Sequence, residues 1–389
     1  MSDVRELTRR LVSIPSHESE REVGDFIERW LRDHTDARVV RDDAGSDEDR
    51  GGNVIAYKGT DEPSLAFVGH HDVVPPDDSQ LAGGAAGDEA DAADEYAVER
   101  RDGRLYGRGS ADMKGAVAAM LLAFRDCEAR RASERRPEAD GQPGELILAS
   151  FAGEEQGGVG ARAAIDEGFA PDYAVVGEGS TGYSAPSVTD VAVAHKGRRA
   201  STIRASGTSS HASSPEEGEN AIYRATDAVD ELRAIEPPTV EVAGEELSGS
   251  LVATEIDGGT AWNVVPDACE VTVDERTVPG ERAPIERVES IPGVGVEIEQ
   301  DLPPMRCDDD AFAEAVLDAA AEAQDTTPEL VTKPHATDAG WLAQAGTTCV
   351  VCGPAEPGEA HTADESVSLD VLERCYELYR GVSERWLAE

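Results

Sequence analysis

The sequence predicts an α/β protein: a mostly parallel sheet flanked by helices, interrupted by an inserted α+β domain. Three observations point there. Apolar strand-like runs alternate with amphipathic helical segments through the first half of the 389-residue chain. Between about 187 and 302 the texture becomes strand-rich, and the strand–helix rhythm then resumes. Acidic and imidazole groups stand just past the apolar runs, where parallel sheets gather their ligands.

The elements follow in order. DVRELTRRLVSI and ESEREVGDFIERWLRDH (18–34) carry helical periodicity and are split by Pro15 and Ser16. NVIAYKG (53–59) and SLAFVGHHD (64–72) read as strands. The acidic, low-complexity stretch 77–96 reads as a solvated loop. GRLYGRGSADM (103–113) leads into the helical MKGAVAAMLLAFRDCEA. After a polar loop (130–144) come the strand ELILASF (145–151), a short helix ARAAIDEG and the strand DYAVVGEG (172–179).

SVTDVAVAHKGRRASTIRAS then reads as a pair of antiparallel strands. Helices at 219–235 and 281–291 join strands SLVATEIDGG, ACEVTVDERTV and GVEIEQDL (295–302). Helix 310–323, the buried strand TTCVVCG and a closing helix rejoin the first sheet. The expected domains are therefore 1–186 and 303–389 for the metal-binding catalytic part, with 187–302 inserted.

Charge narrows the function. Asp and Glu number 80 against 35 Lys and Arg, a formal charge of −45 spread along the whole chain. Such a surface repels itself in dilute salt and is screened at high salt, as in a halophile. Nucleic acid and anionic membrane are not expected as partners. An acidic module for basic partners would concentrate the charge in one tail. No run is long and apolar enough to cross a membrane, and MSDVRELTRR has no apolar signal core. A cytoplasmic protein with reduced thiols is expected. Cys349 and Cys352 have the spacing of a zinc or redox pair, but they sit in a buried strand and no second pair completes a site.

GHHDVVPP (69–76) ends a strand with two imidazoles and a carboxylate. Side chains two apart share a face, so His70 and Asp72 point together and His71 away. A carboxylate beside an imidazole fixes its tautomer and frees the other nitrogen for a metal. His70 is thus a ligand, Asp72 its orienter, and His71 packed or solvent-facing. The other strand-end candidates are Asp112, Glu154, Glu155, Glu178 and His361, bracketed by glycines in YGRGSAD, FAGEE and VVGEG. Taken singly, each is a cap or a solvated acid; their joint position is what argues for a site. Two histidines and several carboxylates suit two divalent ions, zinc first, with cobalt or manganese as alternatives.

Eight segments in order now resemble a family: GHHDVVPP, LYGRGSADMKG, GEEQGGVGA, PDYAVVGEGS, GTSSHASSPEEGENA, GGTAWNVVP, VDERTVPGE and CGPAEPGEAHTADE. The chain is similar to the di-zinc amidohydrolases and exopeptidases that include succinyl-diaminopimelate desuccinylase, acetylornithine deacetylase, aminoacylase and glutamate carboxypeptidase. The resemblance implies a zinc-exopeptidase-like catalytic domain and a ferredoxin-like lid and dimerisation domain. It implies that Asp112 bridges two metals, that His70 and Glu178 complete one site, and that Glu155 and His361 complete the other. Glu154 would be the general base. His211 would reach from the partner subunit's insert to the oxyanion, making a homodimer the active unit. Arg276, Asn263 and Gly259 would bind substrate. Asp77-Asp78 and the GEG at 177–179 depart from the family's usual residues, at the substrate-facing rim and at no ligand.

The residues alone support the chemistry. Neighbouring residues diverge, so Glu154 does not share a metal with Glu155 and is free to move a proton. Arg276 offers a fork for a substrate carboxylate. His195 reads as structural, and His335 and Asp338 as rim residues. The expected reaction is amide hydrolysis of N-acyl amino acids. The alternatives are cleavage of di- or carboxypeptide substrates and an inactive metal-binding homologue.

Overall fold

The computed structural model describes residues 3–43, 51–59, 61–82, 96–127 and 144–386. Most of the stretches 77–96 and 130–144, expected to be loops, lies outside the described residues. The chain forms two compact units: Met1–Ala194, Arg306–Val331 and Thr337–Glu389 make the larger, and His195–Met305 with Thr332–Ala336 the smaller.

The larger unit is built on one nine-stranded sheet. In chain order its strands are β1 (Arg38–Arg41), β2 (Val54–Lys58), β3 (Asp61–His70), β4 (Gly144–Phe151), β5 (Tyr173–Val176), β6 (Val191–His195), β7 (Met305–Arg306), β8 (Leu330–Lys333) and β9 (Thr348–Val351). Their order across the sheet is β1-β2-β4-β3-β5-β9-β6-β7, with β8 beside β6. The centre, β4-β3-β5-β9, is parallel. Strands β1, β2 and β6 run antiparallel to their neighbours. Central strands buried on both faces are continuously apolar: Leu65–Val68, Leu146–Ala149 and Cys349–Val351 are each at most 3% exposed.

One correction concerns the inserted segment. Val191–His195 and the strand Gly197–Ser206 do not pair with each other; the first joins the larger sheet beside β9 and the second lies in the smaller unit's sheet. Lys196 separates them, and the alternating pattern alone does not reveal that the chain changes sheets there. Strand β8 and the helix Asp338–Gln344 are further elements that sequence periodicity did not separate from the surrounding chain.

Helix Leu369–Trp386 packs against helices Asp3–Val12, Gly115–Asp126 and Asp310–Glu322, and Gly115–Asp126 also meets Asp3–Val12, β3 and β4. Gly115 to Phe124 is buried throughout, so this helix is apolar all round. Lys58 at the end of β2 donates to the carbonyls of Phe124, Arg125 and Cys127 and closes the helix C-terminus.

The smaller unit is a four-stranded antiparallel sheet in the order Ser250–Gly258, Ala268–Thr277, Gly197–Ser206, Val294–Leu302. Helix Ala221–Arg233 packs on it through Ala221, Ala225, Ala228 and Leu232. The second expected helix is a 3-10 segment, Ile285–Ser290, following Pro284. A hairpin, Thr239–Val242 with Glu245–Ser248, was not foreseen. Its turn carries Gly244 at φ 78, the cue that sequence reading passed over.

Candidate metal centre

Because β3, β4 and β5 are parallel, their C-terminal ends lie on one edge of the sheet. The acids and imidazole that follow them therefore converge. His70 is the last residue of β3; Glu154 and Glu155 follow β4 in a one-turn 3-10 segment; Glu178 comes two residues after β5. Asp112 enters from the irregular turn Ser110–Lys114 that precedes helix Gly115–Asp126.

His70 Nε2 lies 3.0 Å from Asp112 Oδ1 and 3.4 Å from Glu178 Oε1. His361 Nε2 lies 3.0 Å from Asp112 Oδ2 and 2.8 Å from Glu155 Oε1. Asp112 thus presents one oxygen to each imidazole. The ligand-type atoms of His70, Glu154 and Glu178 fall within 4.8 Å of one another, as do those of His70, Asp112 and Glu155. Glu154's side chain makes no hydrogen bond among the described residues.

Asp72 lies past the end of β3, so strand alternation is not what places it. Its Oδ1 is 3.3 Å from His70 Nδ1 and accepts the Glu154 N–H at 3.1 Å; its Oδ2 accepts the Glu155 N–H at 3.0 Å. One carboxylate therefore orients the imidazole and the turn bearing both glutamates. His71 is packed: it is buried, with Nδ1 2.8 Å from Ser150 Oγ, and burial pushes it down to about 3, so it stays neutral.

The electrostatics call for positive charge. Burial opposes ionisation of Asp112, but hydrogen bonds from His361 and His70 hold it well below the usual carboxylate range. Burial would lower His70, yet Asp112, Asp72 and Glu178 raise it well above an ordinary histidine. Asp112 and Glu155 hold His361 up to about 10. Burial lifts Glu154 well above a free glutamate, with Asp338, Glu178 and Glu155 adding to the effect. Acidic oxygens crowd both imidazoles, and the donors are imidazole nitrogen and carboxylate oxygen. That set fits divalent metal ions.

Sequence reasoning missed two supports. Glu365 is buried; its Oε1 accepts the N–H groups of Ala111 and Asp112 at 3.0 and 3.1 Å, and its Oε2 pairs with Arg108 at 2.6 Å. It fixes the backbone of Asp112. Gln80 donates to Thr362 O at 3.0 Å, and Arg104 pairs with Glu359; both pin the loop of His361, whose own φ is 63. In so acidic a chain Glu365 had no signal beyond its place in the CGPAEPGEAHTADE segment.

Residues 66–385 match peptidase family M20/M25/M40. The chain belongs to this family. It is 30% identical over 356 residues to an acetylornithine deacetylase of Myxococcus xanthus, covering 86% of this chain and 83% of that protein. It is 31% identical over 354 residues to a succinyl-diaminopimelate desuccinylase of Stenotrophomonas maltophilia, covering 86% and 87%. The fold matches that of aminopeptidase PepT from Bacillus cereus with a TM-score of 0.77 at 21% identity, over 100% of this chain and 98% of that one. This M20 protein is accordingly a metal-dependent hydrolase with a candidate dinuclear centre, and its architecture is the two-domain fold of the solved M20 structures. Among the described residues no helix is long and apolar enough to cross a membrane.

His195, His211, Gly259, Asn263 and Arg276 lie in the smaller unit. His211 pairs across a short ladder with Val264, its Nδ1 2.7 Å from Ser213 Oγ, and the next residue, Ala212, donates to Asn263 O at 2.9 Å. Gly259 has φ 88. Arg276 is held by Asp274, which also binds Arg198. His195 is buried, with Nδ1 3.0 Å from Lys196 O. All six cysteines are free and buried, Cys349 and Cys352 among them.

Proposed function

We propose that this M20 hydrolase cleaves the amide bond of N-acyl amino acids, as a deacylase of the desuccinylase/acetylornithine deacetylase type. The reading rests on one observation: two imidazoles share the Asp112 carboxylate while Glu154, whose carboxylate converges with His70 and Glu178, lies alongside. His70, Asp112 and Glu178 would hold one divalent ion, and Asp112, Glu155 and His361 another, zinc in preference to cobalt or manganese. Such ions polarise a carbonyl and lower the pKa of water. Glu154 accepts the attacking water's proton and returns it to the leaving nitrogen, so the amine departs neutral. Asp72 keeps His70 and the Glu154 turn in register. Arg276, Asn263 and Gly259 take the substrate's carboxylate end, and His211 of the partner subunit steadies the oxyanion in a homodimer. The exposed apolar Val252 and Ile256 on the edge strand of the smaller unit support pairing of copies. The acidity of the chain supports a salt-adapted protein, and its buried cysteines, none in a disulfide, support a reducing, cytoplasmic setting.

The test is amine release in about 2 M KCl, where charge is strongly screened, with zinc or cobalt added. The substrates are N-succinyl-diaminopimelate, N-acetylornithine, other acetyl amino acids and dipeptides. Turnover of one acyl amino acid, lost by at least about a hundredfold in Glu154→Gln with metal content unchanged, is the expected result. Preference for dipeptides would move the protein to the peptidase branch. Metal loss in Glu154→Gln would return Glu154 to the ligand set.

A further inference from the structure

Asp338, expected at the substrate rim, is instead buried and has no part in the reaction proposed above. It opens the helix Asp338–Gln344 behind its N-cap, Thr337. It is 3% exposed, and neither of its carboxylate oxygens has a hydrogen-bond partner among the described residues. A buried acid without partners is costly, and its presence calls for a ligand. Its position is fixed by Gly158, which directly follows the Glu154 turn and donates to Glu154 O at 3.0 Å. A Cβ built on Gly158 would lie 2.8 Å from Asp338 Oδ1 and 2.5 Å from Trp341 Nε1. The carboxylate therefore abuts the turn that carries Glu154. Arg162 stacks on the Trp341 ring at 5.0 Å and makes no pair with Asp338. The charges of His70, Asp72 and Glu178 act on Asp338 across the Glu154 turn. Yet it belongs to neither group of converging ligand atoms.

We propose that Asp338 recognises a positively charged amine on the substrate. The proposal rests on the amide-hydrolase reading and narrows it to substrates that carry an ammonium group besides the scissile amide. An ammonium brings three N–H donors to two acceptor oxygens that lack any.

The discriminating pair is Nα-acetylornithine and Nα-acetylnorvaline, which share the acyl group, the scissile bond and the carbon chain and differ in the terminal amine. The metal-loaded wild type should favour the ornithine compound in kcat/KM by roughly ten- to a hundredfold, the range of a charge-assisted hydrogen bond. Asp338→Asn should cut that ratio about tenfold, chiefly through KM, with metal per chain unchanged. Equal rates for the pair in the wild type, or a ratio that survives in Asp338→Asn, overturns the proposal. If Asp338→Asn does not fold, competition by free ornithine against free norvaline in the wild type decides, and equal inhibition overturns it. If neither compound is cleaved, the reaction reading fails separately. Calorimetry of the same pair on the wild type then decides: tighter binding of the ornithine compound supports the proposal and equal binding overturns it.

Discussion

At the scale of single residues, Asp72 does more than orient a ring. Its two oxygens serve His70 and the amides of Glu154 and Glu155 together. Asp72→Ala should therefore weaken metal binding by about ten- to a hundredfold, as loss of an outer-sphere carboxylate does, and should lower turnover even when metal is restored in excess. Chelator competition and kinetics at saturating metal read the two effects apart. A variant with normal affinity and normal turnover would show that the turn holds itself. The imidazole–carboxylate pairing was legible because GHHD packs both groups into four residues. Its geometric reason was not, since β3 ends at His70 and Asp72 is placed by the turn beyond. Asp338 was legible only as a rim residue of the PHATDAG segment; with 80 acidic residues, nothing in the sequence marks it as buried and unpartnered.

At the scale of elements, the parallel centre of the sheet is what made the site readable. Glycine-bracketed acids after apolar runs at 66–72, 147–155 and 174–178 could only share an edge if the strands were parallel, and they are. What could not be read is how the irregular turn Ser110–Lys114 is held. Its support, Glu365, comes from more than 250 residues away, as the sequence separation to Asp112 is 253. Glu365→Ala would leave Arg108 buried without its partner and two amides without an acceptor. The expected cost is roughly 3–5 kcal/mol, seen as a lower midpoint in chemical unfolding, together with weaker metal binding through a loosened Asp112. Unchanged unfolding would show that water replaces the carboxylate. The antiparallel flanks and the passage from β6 into the smaller unit escaped the sequence because alternation specifies a strand and not its neighbour.

At the scale of the whole molecule, charge dominates. A formal −45 is screened over about 10 Å at 0.1 M salt and about 3 Å at 1 M. The melting temperature should rise steadily between 0.1 and 3 M KCl, and a flat profile by calorimetry would rule out self-repulsion as the governing term. Composition made that legible from the first line of sequence. His70 and His361, the imidazoles that share Asp112, are separated by most of the chain. They can meet only when strands from both sides of the inserted segment have packed together. A metal probe added during refolding should therefore be taken up late, with the last of the tertiary structure rather than with the first.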